Sequence, residues 1–294
     1  MDNLDGFKSL CDLEPMFDCN DRTVFKQCGN CIVMLEKLED TLTNESRSNI
    51  IDRRYAKFRA NKLLVKKIVD VTTLEELDKV YNFLLGSKFN GKMKYTVGQI
   101  VSVDDYDTDL ETVCSTGIHY FLTLERAYRH LCKKSINNGI YVYWFPNGQK
   151  FAECSVVDGK FDGKYEEWYE NGQKKIECNY INGKTYGKYE KWYPSGQKCK
   201  ECNYINNKCH HRYESWHANG KKKRDCNYVY GELDGKYESW YKNGKKKKEY
   251  SCVDGKVHGI YKKWSECGKL ISYKYVIEYI YNKMDKYDRD LKTI

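Results

Sequence analysis

The sequence predicts a mixed fold: a small α+β N-terminal domain, an elongated single-layer antiparallel β-meander of hairpin repeats, and a C-terminal capping helix. Three observations carry this. All six Trp recur every 24 residues from Trp144 to Trp264. Each stands in an aromatic-rich stretch followed by a turn-marking Gly, the signature of a repeat array. Residues before 138 lack that period and mix strand-like with helix-like patterns. The expected divisions are a helical N-terminal segment (1–49), a small α+β domain (50–137), an array of about six repeats (138–275) and the capping helix (276–294).

Taken in order, CIVMLEKLEDTL from Cys31 spaces its apolar residues as an amphipathic helix. LLVKKIVDV, Leu63 to Val71, predicts a strand, and Thr73 with Glu76 forms the capping box of a following helix. KYTVGQIVSV predicts another strand, CSTGIHYFL a third, and TLERAYRHLCKK a helix capped at Thr123. Terminal repeats need covers. Part of this domain is expected over the sheet's first edge, and a helix in KYVIEYIYNKMDKYDRDL over its last.

The 294 residues hold 27 Tyr and 6 Trp but 3 Pro, so aromatic surface replaces much of the aliphatic core, as suits a thin structure. No apolar run approaches the roughly 18–20 residues of a membrane-spanning helix. The opening MDNLDGFKSL lacks the basic-then-apolar order of a signal peptide, so a soluble, cytoplasmic chain with reduced thiols is expected despite 14 Cys. Net charge is +9, and residues 138–272 hold 26 Lys and Arg against 17 Asp and Glu while the remainder holds 25 of each. The basic excess therefore sits on the repeats.

Each period reads as a hairpin. The structural positions are Tyr141, Tyr165, Tyr189, Tyr213, Tyr237 and Tyr261, then Trp144, Trp168, Trp192, Trp216, Trp240 and Trp264, then Gly148, Gly172, Gly196, Gly220, Gly244 and Gly268. GKYEEWYE and QKKIECNYI are each bounded by Asn-Gly, a tight-turn pair. Strand alternation puts Tyr165, Glu167 and Tyr169 on one face, Glu166 and Trp168 on the other, and Ile176, Cys178 and Tyr180 together. Cys-x-Tyr becomes Tyr250-x-Cys252 in the fifth repeat, which keeps both residues on one face. Equivalent positions of adjacent repeats lie roughly 10 Å apart. That is too far for disulfides or zinc within the ladder Cys154, Cys178, Cys202 and Cys226, which is expected as small buried hydrophobes. Cys199 and Cys202 are expected on opposite faces, from an offset of three.

The unit GKYEEWYENGQKKIECNYINGK resembles MORN repeats, especially the variant with Trp-Tyr-x-Asn-Gly, over about residues 139–275. It departs from the commonest form in its Tyr-to-Trp spacing and in the near absence of a His-Gly-x-Gly tail, of which His258-Gly259 is the nearest trace. The resemblance implies a β-sheet used for protein interaction, dimerisation or membrane association. RRYAKFRANKLLVKKIVDV, with the segment from KYTVGQIVSV through LERAY, resembles an uncharacterised domain that precedes repeats in giant-virus proteins of the mimivirus kind.

Constellations that suggest chemistry each have a plainer reading. Cys114 and His119 suggest a nucleophile and base, but their offset of five separates them on a regular strand. Asp104, Asp105, Asp107, Asp109 and Glu111 hint at calcium, yet Leu110 and Thr116 stand where an EF-hand needs Gly and Glu. Cys11, Cys19, Cys28 and Cys31 could supply four zinc thiolates at spacings that fit no common module. No catalytic, metal or cofactor residue is therefore assigned. The candidate anionic-ligand patch is Lys174, Lys175, Lys221, Lys222, Lys223, Arg224, Lys245, Lys246, Lys247 and Lys248, whose runs fall in register just past the hairpin turns. The expected function is a non-enzymatic scaffold for an unknown protein partner or self-association. The alternatives are docking on anionic phospholipid through the Lys-rich edge and, less favoured, a Cys/His enzyme in the first domain; nucleic acid is disfavoured because no known nucleic-acid fold is present.

Overall fold

The computed structural model describes residues 7–83, 92–131 and 138–276. In the N-terminal domain, a short helix α1 (Leu10–Leu13) precedes strands β1 (Thr23–Cys28), β2 (Cys31–Glu36), β3 (Lys57–Ala60) and β4 (Lys62–Asp70). A hairpin of β5 (Lys79–Phe83) and β6 (Lys92–Thr96) follows, then β7 (Ile100–Ser102), β8 (Ile118–Phe121) and helix α2 (Leu124–Leu131). Six strands form an antiparallel sheet in the order β3-β8-β1-β2-β4-β7.

The sheet is buried on both faces. Cys31, Val33 and Leu35 of β2 enter one apolar cluster with Phe58, Leu63, Ile68 and Tyr120. Ile32 and Met34 enter a second with Phe7, Leu13, Phe17 and residues of α2. This corrects the helix expected from Cys31: a strand buried on both sides has an unbroken apolar run, which periodicity alone cannot distinguish from a helix. The described part of the expected helical segment 1–49, residues 7–49, is thus not a helical segment, because β1 and β2 sit centrally in the sheet with β4.

The helix expected from Thr73 is also absent. Asp70 accepts hydrogen bonds from the backbone N–H groups of Thr72 and Thr73, at 2.8 and 3.4 Å, and Glu76 pairs back with Val69. Local side-chain acceptors favour such a turn over a helix start. KYTVGQIVSV divides into β6 and β7 at Gly98 (φ +78). The α2 cap holds, with Arg126 N–H donating to Thr123 Oγ1 at 3.3 Å.

Twelve strands then follow in sequence order in one antiparallel sheet. They are β9 (Gly139–Trp144), β10 (Lys150–Val157), β11 (Lys160–Trp168), β12 (Lys174–Ile181), β13 (Lys184–Trp192) and β14 (Lys198–Ile205), then β15 (Lys208–Trp216), β16 (Lys222–Val229), β17 (Glu232–Trp240), β18 (Lys246–Val253), β19 (Lys256–Trp264) and β20 (Leu270–Val276). The expected capping helix lies outside the described residues.

The chain forms two compact units, one of residues 1–160 and 170–172, the other of 161–169 and 173–294. In the first, the N-terminal domain grips the turn of the β9–β10 hairpin. Tyr55 stacks on Trp144 at 4.6 Å, Ile51 N–H donates to Asn147 O, and Lys57 N–H and the Arg47 guanidinium donate to Pro146 O.

In the second unit, the turns alternate between two types. Asn182 and Gly183 both have positive φ, +53 and +76, as a two-residue mirror-image turn requires. At the other end Gly196 N–H donates to Tyr193 O and Tyr193 N–H to Gln197 O, a longer loop in which only Gly196 (φ +81) is left-handed. Neighbouring repeats are latched at this end: the hydroxyls of Tyr169, Tyr193 and Tyr241 donate to the carbonyls of Trp192, Trp216 and Trp264 at 2.8–2.9 Å.

Candidate binding face

Register divides the chemistry of the second unit between two faces. On one, Tyr165, Cys178, Tyr189, Cys202, Tyr213, Cys226, Tyr237 and Tyr250 lie opposite one another from strand to strand. The Cys ladder is buried to within 3% exposure, as expected for small apolar side chains, and burial pushes the Cys154, Cys178 and Cys226 thiols up to about 11. The Tyr250/Cys252 exchange keeps its face, with Tyr250 in the Cys slot stacked on Tyr237 at 4.4 Å.

The opposite face carries an acidic ladder. Glu166, Glu177, Glu190, Glu201, Glu214, Asp225, Glu238 and Glu249 are directly paired across successive strands. Like charges so placed destabilise a sheet unless compensated. Lys198 lies 2.7 Å from Glu190 and 2.6 Å from Glu201, while Lys188 approaches the same pair at 3.0 and 3.7 Å. Lys164 with Lys174, Arg212 with Lys222, and Lys236 with Lys246 repeat the arrangement. Eight cations thus meet eight carboxylates, and the ladder is neutral within itself. Burial raises the Glu190 pKa, but hydrogen bonds from Lys198 and Lys188 outweigh it and hold the carboxyl below its ordinary value; Glu166 and Glu238 behave alike.

No such neutralisation occurs beside the Tyr/Cys row. There Lys191, Lys200, Ser215, Arg224, Ser239, Lys248 and Lys263 follow one another in register. Among the described residues, none of those five cations has a carboxylate within 4.0 Å. Lys200 Nζ is held instead by the Tyr189, Tyr204 and Tyr213 rings at 4.9, 5.1 and 5.3 Å and donates to Tyr204 Oη at 2.7 Å. The Arg224 guanidinium lies between the Tyr213 and Tyr237 rings at 5.7 and 5.5 Å. Ser239, between Arg224 and Lys248, buries a hydroxyl that has no hydrogen-bond partner among the described residues.

The ten residues of the sequence patch are dispersed by this geometry. Each lysine run straddles a β-bulge, since Trp168 pairs with Lys174 and Glu167 with Ile176, leaving Lys175 as the extra residue. Lys174, Lys222 and Lys246 belong to the neutral ladder, and Lys175 reaches Glu167 at 2.5 Å. Lys221 and Lys245 donate to the carbonyls of Asn243 and Cys267, and with Lys222, Trp240 and Gly244 they line a shallow concavity. Lys247 lies over the Tyr241 ring and Lys223 is exposed. Only Arg224 and Lys248 of the ten join the row of uncompensated cations, to which the structure adds Lys191, Lys200 and Lys263. The signal that finds these three is the register of the strands. The same bulge corrects the placement of Cys199, which shares the Cys202 face and lies beside Tyr193.

In the first unit, Cys114 is exposed and 3.9 Å from Lys57 Nζ, while the His119 ring nitrogen faces Val113 O at 3.3 Å. Burial, reinforced by Lys57 and Lys26, pushes His119 down to about 3, so it is neutral and not joined to Cys114. The acidic loop turns its carbonyls inward: those of Asp107, Asp109, Thr112 and Thr116 accept from the fully buried Arg59 guanidinium, which fills the place a bound cation would take. Cys11 and Cys19 are exposed whereas Cys28 and Cys31 are buried on either side of the exposed β1–β2 turn, and among the described residues no three His, Cys, Asp or Glu gather as metal ligands.

Comparison with known families agrees with this geometry. Residues 161–182, 185–206 and 233–251 match the MORN repeat variant. The array is similar to MORN repeats. Residues 7–127, which hold the first sheet and the first half of α2, match a family of unknown function, DUF5758. No curated protein matches the chain. No helix among the described residues is long and apolar enough to cross a membrane.

Proposed function

We propose that the MORN-like array is a non-catalytic docking scaffold whose Tyr- and cation-bearing face receives an acidic segment of a protein partner. The observation that carries this is the contrast between the faces: eight carboxylates are matched on one, while Lys191, Lys200, Arg224, Lys248 and Lys263 are unmatched on the other. Carboxylates of a partner would supply the missing charge, and the Tyr rings offer rigid contact area at low entropic cost. The reading carries a cytoplasmic setting with it, the host's cytoplasm if the chain is viral.

A second reading has its own observation. Lys221, Lys222 and Lys245 converge with Trp240 in the shallow concavity at the turn edge, a place for an anionic lipid headgroup. Fluorescence anisotropy of a labelled glutamate-rich peptide, beside flotation with phosphatidylserine vesicles, separates the two. Salt-sensitive peptide binding that Arg224→Glu weakens supports the scaffold. Vesicle binding lost in Lys221→Glu/Lys245→Glu, without peptide binding, replaces it with the membrane reading.

A further inference from the structure

Cys209 departs from the pattern of its array. The second residue after each Asn-Gly-type turn is Phe161, Thr185, Leu233 or Val257 in the other repeats, and a thiol only here. Cys209 lies directly opposite Tyr204, which places it diagonal to Cys202 on the same face of paired strands β14 and β15. The Cys202 and Cys209 side chains are near enough to shift one another's ionisation, and Lys200, which donates to Tyr204 Oη, acts on both. Cys202 is 1% exposed and Cys209 half-buried, so solvent meets the pair at Cys209.

We propose that Cys202 and Cys209 are a redox-active dithiol, closed to a cross-strand disulfide by a peroxide-class oxidant. Geometry brings the bridge within reach of a small backbone movement. Diagonal positions on paired strands lie about 7–8 Å apart at Cα, just beyond the roughly 7 Å within which a disulfide closes without backbone movement. Register shifts immediately beside the pair, where Asn203 faces His210 and Cys202 faces Tyr213, and His211 is left-handed (φ +63). An irregular ladder of this kind gives β15 freedom to close the remaining gap. The Cys209 hydrogen bond and Lys200 outweigh burial and hold the Cys202 thiol below its ordinary value, while donation pushes Cys209 up. Cys202 is thus the favoured thiolate of the pair, and it serves as the base that takes the Cys209 proton when the accessible Cys209 sulfur attacks.

The Cys209 sulfur, giving its proton to Cys202, attacks one oxygen of hydrogen peroxide: an S–O bond forms, the O–O bond breaks, and the departing hydroxide is protonated to water by solvent. Cys202 then attacks the Cys209 sulfenic acid: the S–S bond forms, the S–O bond breaks, and the second water leaves with the Cys202 proton. Two electrons pass from the sulfur pair to the peroxide. The equivalent thiols Cys178 and Cys226 lack such a partner and are raised by burial, which leaves them inert.

The test is peptide mapping of the full chain after a brief exposure to a small excess of hydrogen peroxide and alkylation of remaining thiols. Trypsin should release Glu201–Lys208 joined to Cys209–Arg212, and dithiothreitol should separate them. Cys209→Val, which installs the residue of the sixth repeat at this slot, should abolish the linked species while leaving the reduced protein's melting temperature unchanged. Oxidation that yields only sulfinic or sulfonic acids, a link between other cysteines, or full alkylation of Cys202 and Cys209 after peroxide treatment and denaturation would overturn the assignment.

Discussion

Gly148→Ala probes how the first hairpin is held. Gly148 has φ +87, and a Cβ built there would fall 1.9 Å from the carbonyl oxygen of Asp52 and 3.0 Å from Ala56 N. Backbone on both sides prevents a cheap escape, so the turn must move away from residues 51–57. That movement breaks the bonds from Ile51 and Lys57 N–H and from Arg47 to the turn carbonyls, which measure 2.9, 3.0 and 2.8 Å. Left-handed strain for Ala costs about 1–2 kcal/mol, each neutral bond about 0.5–1.5 and the charged one about 1.5–3. The expected destabilisation of the first unit is about 3.5–8 kcal/mol. Gly196→Ala is the control: its φ is +81, but the nearest obstacle is the flexible Gln173 side chain at 2.7 Å. Strain alone, about 1–2 kcal/mol, is expected there. Urea unfolding followed by near-ultraviolet circular dichroism compares them. Equal midpoints for the two variants would refute the claim that the N-terminal domain grips this turn.

Further consequences concern the two units separately. Glu166, Glu190, Glu238 and Asp225 have depressed pKa values, so their stabilisation is complete above the ordinary values of 4.5 and 3.8 and is lost as pH falls through the folded ones. The array's melting temperature should therefore be flat from neutral pH to about 5 and drop below about 4; a rise on acidification would contradict the ladder. Arg59→Met leaves the inward carbonyls of Asp107, Asp109 and Thr112 without a donor and should cost about 3 kcal/mol or more, with faster amide exchange across residues 104–116. Unchanged exchange there would show that Arg59 does not organise the loop. Tyr241→Phe removes one hydrogen bond to Trp264 O and should cost about 1 kcal/mol, read as earlier exchange in β19 and β20.

Whatever the 24-residue period displays is legible in the sequence: the Trp, Tyr and Gly positions, the hairpins and the Tyr250/Cys252 exchange, because each keeps its place in the repeat. Strand β2 escaped because burial on both faces erases alternation in CIVMLE. Thr73 was misassigned because the same side chains that cap helices also close turns, and Asp70 is the acceptor that decides between them. The basic face was only partly visible for a different reason. KKKR and KKKK look like single patches, but a bulge within each sends neighbouring lysines to opposite faces, where carboxylates from two other strands neutralise some of them. Charge compensation depends on register, and register is a property of paired strands.

The central claim is that the cation row beside the Tyr ladder is the docking surface. The most direct measurement is anisotropy of a labelled glutamate-rich peptide against two triple variants with wild-type melting temperatures. Lys200→Glu/Arg224→Glu/Lys248→Glu reverses the uncompensated row, whereas Lys174→Gln/Lys198→Gln/Lys246→Gln alters only the ladder on the other face. Binding should weaken on the order of tenfold to a hundredfold in the first, about 1.5–3 kcal/mol, and little in the second. Equal loss in both, or loss only in the ladder variant, would contradict the account.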